Sequence, residues 1–222
     1  MLRNNLDKII SRIEKARISY SRHQIIKLIA VSKYSEISDI QAMYGCGQRA
    51  FGENKIQDLK TKSDALIDLP IQWHMIGTLQ ENKINALLVL KPSLLHSLDS
   101  IKLAKAIQKR CEKIQTSIKA LLQVNSSYEE TKSGVLPQEA REIYLEILQT
   151  CPNIKLEGIM SIGANSKELQ KIESSFKITK DIFDSLQSEG AKTLSMGMSG
   201  DFEIAIGYGA NMLRIGSLLF EK

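Results

Sequence analysis

The chain is short of the residues that would give it away as a metal or disulfide protein. Its three cysteines, Cys46, Cys111 and Cys151, are odd in number and far apart. No C-x-x-C pair and no Cys/His ligand spacing occurs. That excludes a disulfide framework and a structural zinc site, and reduced thiols in a cytosolic protein are expected. No hydrophobic run reaches transmembrane length. The N-terminus meets Asp7 and Glu14 early, unlike a signal peptide. A cytoplasmic location without membrane association is therefore expected. The first apolar run is not followed by G-x-G-x-x-G, which counts against a dinucleotide site. No Ser/His/Asp order and no pair of acidic residues stands out. Linkers, low-complexity tracts and shifts of composition are also missing.

Charge is present but unconcentrated. The net charge of +5 and the pI near 9.0 permit acidic ligands. The densest basic cluster, Lys102, Lys105, Lys109, Arg110 and Lys113, falls at helical spacing. A solvated helix face explains it as well as a nucleic-acid patch does, and no nucleic-acid partner is expected.

At 222 residues and 43% hydrophobic, the chain can bury one sizeable core. Leu2, Leu6, Ile9, Ile10, Ile13 and Ala16 step by three and four, predicting an amphipathic helix over 2–20. Leu28 to Ser32 is a short apolar run ending at Lys33, which suits a buried strand. Ser35 is a candidate cap for a helix over 36–44, closed by Gly45 and Gly47. Arg49 to Gly52 reads as a second strand, followed by a helix over 54–67. Ile71 to Gly77 is a third strand, with helix 79–90. Leu94 to Leu98 is a fourth, and Asp99 caps helix 100–114. Ile118 to Val124 is a fifth, and Pro137 opens helix 137–150. Leu156 to Ile162 is a sixth, and Asn165 with Glu168 caps a long helix to about Glu189. The seventh and eighth runs lie within 192–220. Each ends in a Gly/Ser turn, and a short helix-like segment opened by Ser199-Gly200-Asp201 separates them.

Eight strand candidates result, each but the last followed by a helix candidate. This alternation predicts parallel strands with covering helices. In one domain over 1–222 it predicts a single (β/α)8 barrel with an extra N-terminal helix. A doubly wound sheet is the alternative.

In such a barrel, ligands sit at the C-terminal strand ends, and the last two loops often hold a phosphate. The two Gly/Ser turns fit that place. Small residues let backbone N–H groups approach a ligand, and a helix N-terminus adds unpaired donors. Arg214 adds a cation with planar donors. Lys33 would reach the same rim, partly desolvated, where a neutral amine can attack an aldehyde. Its bland reading is a lysine emerging into solvent. Asn54 is either a ligand contact or a helix cap. His74, beside Trp73, is either a rim residue or a hydrogen-bonded core histidine. Asn125, Glu129 and Lys132 are a polar loop over the site or ordinary surface. Asp201 is expected to support the start of its helix.

Five motifs then occur in one order: Ala30-Val31-Ser32-Lys33, Phe51-Gly52-Glu53-Asn54, Trp73-His74-Met75-Ile76-Gly77 continuing to Lys83, Leu194 to Ser199, and Leu213-Arg214-Ile215-Gly216-Ser217. Together they resemble the pyridoxal-phosphate homeostasis protein family, the YggS/PROSC family, over nearly the whole length. The resemblance implies an alanine-racemase-type barrel and pyridoxal 5′-phosphate as cofactor. It implies that Lys33 forms an internal aldimine, that Ser199, Gly200, Gly216 and Ser217 hold the phosphate, and that Arg214 faces the pyridine nitrogen. Asn54 would lie near the ring, with His74 a weaker guess. Lys55, Asp58 and Ser161-Ile162-Gly163 depart from the usual pattern, so loop shape should differ. After Gly216-Ser217 only Leu218 to Lys222 remain, leaving no room for the second domain that supplies a racemase's opposing base. The resemblance thus implies a carrier that buffers the cofactor and delivers it to pyridoxal-phosphate-dependent apo-enzymes, not an enzyme; no strongly apolar surface stripe suggests an obligate dimer, so a monomer is expected. The alternatives are residual amino-acid racemisation and a Schiff-base aldolase.

Overall fold

The computed structural model describes residues 1–221. Its eight strands are β1 (Lys27–Val31), β2 (Ala50–Glu53), β3 (Gln72–Met75), β4 (Leu94–Leu98), β5 (Ile118–Val124), β6 (Ile154–Ser161), β7 (Thr193–Ser195) and β8 (Met212–Ile215). They form a closed parallel barrel in chain order, with β8 closing on β1 from Lys27–Met212 to Ala30–Ile215. Helix α1 (Leu2–Tyr20) precedes the barrel. The helices after the successive strands are α2 (Ile37–Gly45), α3 (Ile56–Ala65), α4 (Ile84–Leu90), α5 (Ile101–Lys113), α6 (Ala140–Thr150), α7 (Leu169–Leu186), α8 (Phe202–Gly207) and α9 (Ser217–Phe220).

Strand and helix order follow the sequence reading, and the deviations sit at the ends. β1 stops at Val31, so Lys33 falls in the turn beyond it. Glu36, not Ser35, caps α2: its side chain accepts from the third helical N–H while Asp39 accepts from its backbone. Ser100, not Asp99, caps α5, accepting from Leu103 N–H at 3.2 Å. Pro137 lies before α6, because residues 136–140 turn twice on themselves first. Asn165 does not cap α7; its N–H goes to the Glu129 carboxylate at 2.9 Å. The last strand also has its helix, four-residue α9.

Two cores result. The larger packs the helices on the outside of the sheet. The smaller joins Ile29, Ala50, Leu94, Leu121, Met160 and Met212, one from each of six strands, and fills the barrel. Each such buried aliphatic side chain contributes about 1.5–3 kcal/mol. Register partners in a parallel sheet share a face, so His74, opposite Gly52 and Leu94, also points inward. Steps of two along β4 and β8 place His96 and Arg214 inward as well.

Helix α1 braces the last two helices. Leu6, Ile9 and Ile13 are buried on it. Arg12 grips Glu203 of α8 through two hydrogen bonds of 2.9 and 2.8 Å and lies over the Phe202 ring. Asn5 donates to the Leu219 and Glu221 carbonyls beside α9. In the basic cluster of α5, Lys102 pairs with Glu81 and Lys105 with Glu146, so that face is a surface of mixed charge. The three cysteines are free thiols. No helix of the described residues is long and apolar enough to cross a membrane.

Candidate functional site

The C-terminal ends of β7, β8 and β1 build one rim. After β7 the chain bends at Gly197, whose φ of +95° would strain any side chain; a β-carbon there would stand 2.7 Å from Ala205 Cβ. Met198, Ser199, Gly200 and Asp201 then form a turn. The Asp201 carboxylate accepts from Met198 N–H at 2.6 Å and makes no side-chain cap for α8. It braces the turn, not the helix start expected for it.

After β8, Gly216 lies against the end of β1. A β-carbon on it would stand 3.0 Å from the Val31 carbonyl oxygen. The backbone N–H groups of Ser199, Gly200, Gly216 and Ser217 donate to no protein group among the described residues. Ser199 and Gly216 are half-buried, while Gly200 and Ser217 are exposed. A β-carbon on Gly200 would meet nothing within 4 Å. Four unpaired donors, with open space beside Gly200, fit a phosphate oxyanion.

Below the turns lies Arg214, 5% exposed. It donates to Ser195 Oγ at 2.7 Å and to the Ser161 carbonyl at 2.8 Å. Burial pulls its guanidinium down to about 10, with Asp201 opposing, so it stays charged at neutral pH. Burial raises the Asp201 carboxyl, against the Met198 N–H and the fields of Arg214 and Lys132.

Lys33 departs from the reading of a desolvated strand end. It is exposed, and its Nζ lies 4.9 Å from the centroid of the Tyr34 ring. Its ammonium makes no hydrogen bond or ion pair among the described residues. The backbone beneath it is held firmly, because Lys62 Nζ donates to the Ser32 carbonyl at 2.7 Å and to Glu53 Oε1 at 2.8 Å. Ser32 Oγ donates to the same Glu53 oxygen at 2.6 Å.

Asn54 caps no helix; α3 starts at Ile56 after Lys55. Its carbonyl would lie 2.1 Å from a β-carbon on Gly77, so β2 and β3 close tightly at the rim. The 125–135 loop crosses nearby. Lys132 Nζ joins Glu129 Oε1 at 2.8 Å, the Gly163 carbonyl at 2.7 Å and Ser127 Oγ at 3.2 Å. Asn125 donates to the Glu129 and Lys132 carbonyls. These residues tie the loop to β6 and are more than scattered surface polarity. His74 is 1% exposed, within the barrel and not at the rim.

A relative from Helicobacter pylori (strain ATCC 700392 / 26695) is 60% identical over 220 residues, 99% of this chain and 98% of its own, and is named pyridoxal phosphate homeostasis protein. This chain belongs to that family. Members from Aquifex aeolicus and Schizosaccharomyces pombe are 40% and 34% identical, each over 97% of this chain and 95% and 90% of their own. The family model described as alanine racemase, N-terminal domain, matches residues 4–221. Among solved structures, PipY of Synechococcus elongatus with pyridoxal phosphate bound is 29% identical, with a TM-score of 0.84, covering 99% of this chain and all of PipY. An alanine racemase from Clostridium difficile shares the fold, with a TM-score of 0.79 at 16% identity, covering 99% of this chain and 58% of that one. The barrel implied by the family resemblance is thus the fold found.

Sequence reading missed the contacts of three residues in this site. His96, Ser161 and Ser195 all contact each other's network or Arg214 inside the barrel. Their contacts join four different strands, so no local pattern announced them. Glu53 and Lys62, the buried pair beneath Lys33, lie nine residues apart on different elements, and no local pattern joins them.

Proposed function

We propose that this chain binds pyridoxal 5′-phosphate at the C-terminal rim, attaches it covalently through the Lys33 amine, and delivers it to apo-enzymes. The observation that carries this reading is the closure of β8 on β1. It sets Gly216 against Val31, two residues before Lys33. The phosphate donors and the backbone of Lys33 therefore meet at one rim. When bound, the cofactor supplies an aldehyde that condenses with amines and an electron-withdrawing ring.

The chain's own residues divide the work. Ser199, Gly200, Gly216 and Ser217 receive the phosphate through backbone N–H groups, helped by the N-terminal ends of α8 and α9. Arg214 presents a fixed cation to the ring nitrogen and, being charged, holds that nitrogen unprotonated. Asn54 lines the rim. Lys33 reaches the aldehyde by leaving the Tyr34 ring, a cation–π contact of about 0.5–1 kcal/mol at an exposed site. That cost is small, which suits reversible loading. The relative from Synechococcus elongatus, solved with pyridoxal phosphate bound, supports the same ligand.

An exposed amine excludes water poorly, and this favours a carrier over an enzyme. We read it as a monomeric cytoplasmic protein with no nucleic-acid ligand. The second reading is residual amino-acid racemisation.

The purified protein should bind pyridoxal phosphate with an absorbance band that borohydride fixes to the chain, and Lys33→Ala should lose both. Loaded protein should activate an apo-enzyme even when a phosphatase destroys free cofactor. Activation abolished by the phosphatase would defeat the delivery role. Exchange of an amino acid's α-hydrogen with solvent deuterium at catalytic rates would favour racemisation.

A further inference from the structure

A buried chain of side chains runs behind Arg214. Its guanidinium donates to Ser195 Oγ at 2.7 Å. Ser195 Oγ lies 3.2 Å from His96 Nδ1, and His96 Nε2 lies 2.9 Å from His74 Nδ1. His74 Nε2 ends the chain, buried and without a partner. Ser195 and His96 are fully buried.

The direction of every proton follows from the arginine. A guanidinium only donates, so Ser195 Oγ accepts from it. If Ser195 donates to His96 Nδ1, His96 carries its proton on Nε2 and passes it to His74 Nδ1. His74 then holds a proton on Nε2, and one buried group is unpaired. The reverse order leaves two unpaired, the Ser195 hydroxyl proton and the His74 Nε2 lone pair. Buried polar groups are overwhelmingly satisfied, so the first order holds. Burial keeps both rings neutral, aided at His74 by the field of Lys27 and at His96 by those of His74, Arg214 and Lys27.

We propose that His96, acting through Ser195, is the positioning residue that fixes the plane of Arg214. The proposal rests on the reading of Arg214 as the group facing the cofactor's ring nitrogen. Ser195 and the Ser161 carbonyl each hold one terminal nitrogen of the fork. Three of its five N–H bonds stay without a protein partner among the described residues. A guanidinium pinned at both ends cannot rotate, so its free donors meet the ring nitrogen in one geometry. His96 supplies the acceptor that makes the Ser195 hydroxyl point away from the arginine. Without it the hydroxyl proton is free to turn toward the cation and weaken the hold.

The test starts on the unloaded protein. Long-range proton–nitrogen correlation of 15N-labelled protein at pH 7 should give His74 and His96 as neutral rings protonated on Nε2, and a proton on His96 Nδ1 would overturn the relay. Ser195→Ala and His96→Gln should weaken pyridoxal phosphate about tenfold. They should leave a phosphate-bearing salicylaldehyde, with carbon in place of the ring nitrogen, nearly unchanged. Ser195→Thr, which keeps the hydroxyl, should restore the difference. Equal losses for both aldehydes would reduce the relay to general packing and sink the positioning role. Wild-type protein that binds neither aldehyde would overturn the binding reading instead, and the relay would then stand or fall on the tautomers.

Discussion

A β-carbon on Gly216 would stand 3.0 Å from the Val31 carbonyl oxygen and 3.3 Å from Val31 Cβ. That spacing couples the phosphate turn to the end of β1, two residues before Lys33. Gly216→Val should spread β1 from β8 at the rim and weaken pyridoxal phosphate about tenfold or more. Gly200 has open space where a side chain would go, so Gly200→Ala should fold normally. It should weaken pyridoxal phosphate while leaving pyridoxal, which lacks the phosphate, unaffected. Titration of both aldehydes checks this, and equal effects on the two would remove the phosphate from that turn.

Glu53 is the buried counter-charge beneath Lys33. Its side chain is fully buried and that of Lys62 is 11% exposed. Glu53→Ala would strand the Lys62 ammonium and remove the acceptor of Ser32. Breaking such a pair from one side costs about 3–5 kcal/mol. Urea unfolding should register that loss, and the double variant Glu53→Ala with Lys62→Met should recover part of it. A loss below about 1 kcal/mol would mean that the pair is hydrated and does not hold the turn.

How far these features were legible depends on the range of the interaction. Strand order came from local apolar runs, and βα alternation fixed the barrel because parallel neighbours need helical crossovers. The Gly/Ser turns were legible because small residues have few other uses at strand ends. Caps were less so: Ser35, Asp99 and Asn165 are good capping types, but neighbouring residues won the geometry. The Lys33 environment was misjudged because β1 ends two residues early, leaving the side chain in a turn against Tyr34. His96 was invisible as a site residue, since its partners come from β3 and from β7, 99 residues away.

Gly77 is a second rim contact set by backbone alone. A β-carbon there would lie 2.1 Å from the Asn54 carbonyl oxygen, too close for any rearrangement of side chains to relieve. Gly77→Ala should therefore move Asn54 and the strand end beside it. Affinity for pyridoxal phosphate should fall, with the borohydride-fixed yield at Lys33 falling in parallel. Unchanged affinity in a folded Gly77→Ala protein would place Asn54 outside the site.

The two barrel histidines should also shape acid stability. Burial lowers His74 to about 3 and moves His96 in the same direction. Unfolded, each has a pKa near 6.5, so the unfolded chain binds protons that the folded barrel refuses. The stabilisation is complete above pH 6.5 and is lost as pH falls from there toward 3. Between pH 7 and 5 His74 should remove about 2 kcal/mol, and His96 should act in the same direction. Replacing His74 by Gln should flatten urea-derived stability over that interval by about this amount, whatever its cost at pH 7. Curves for wild type and variant that run parallel from pH 7 to 5 would mean that His74 takes up its proton inside the folded barrel. The relay argued from Arg214 would then be lost as pH falls through that titration, because a cationic His74 has no lone pair to accept the His96 proton.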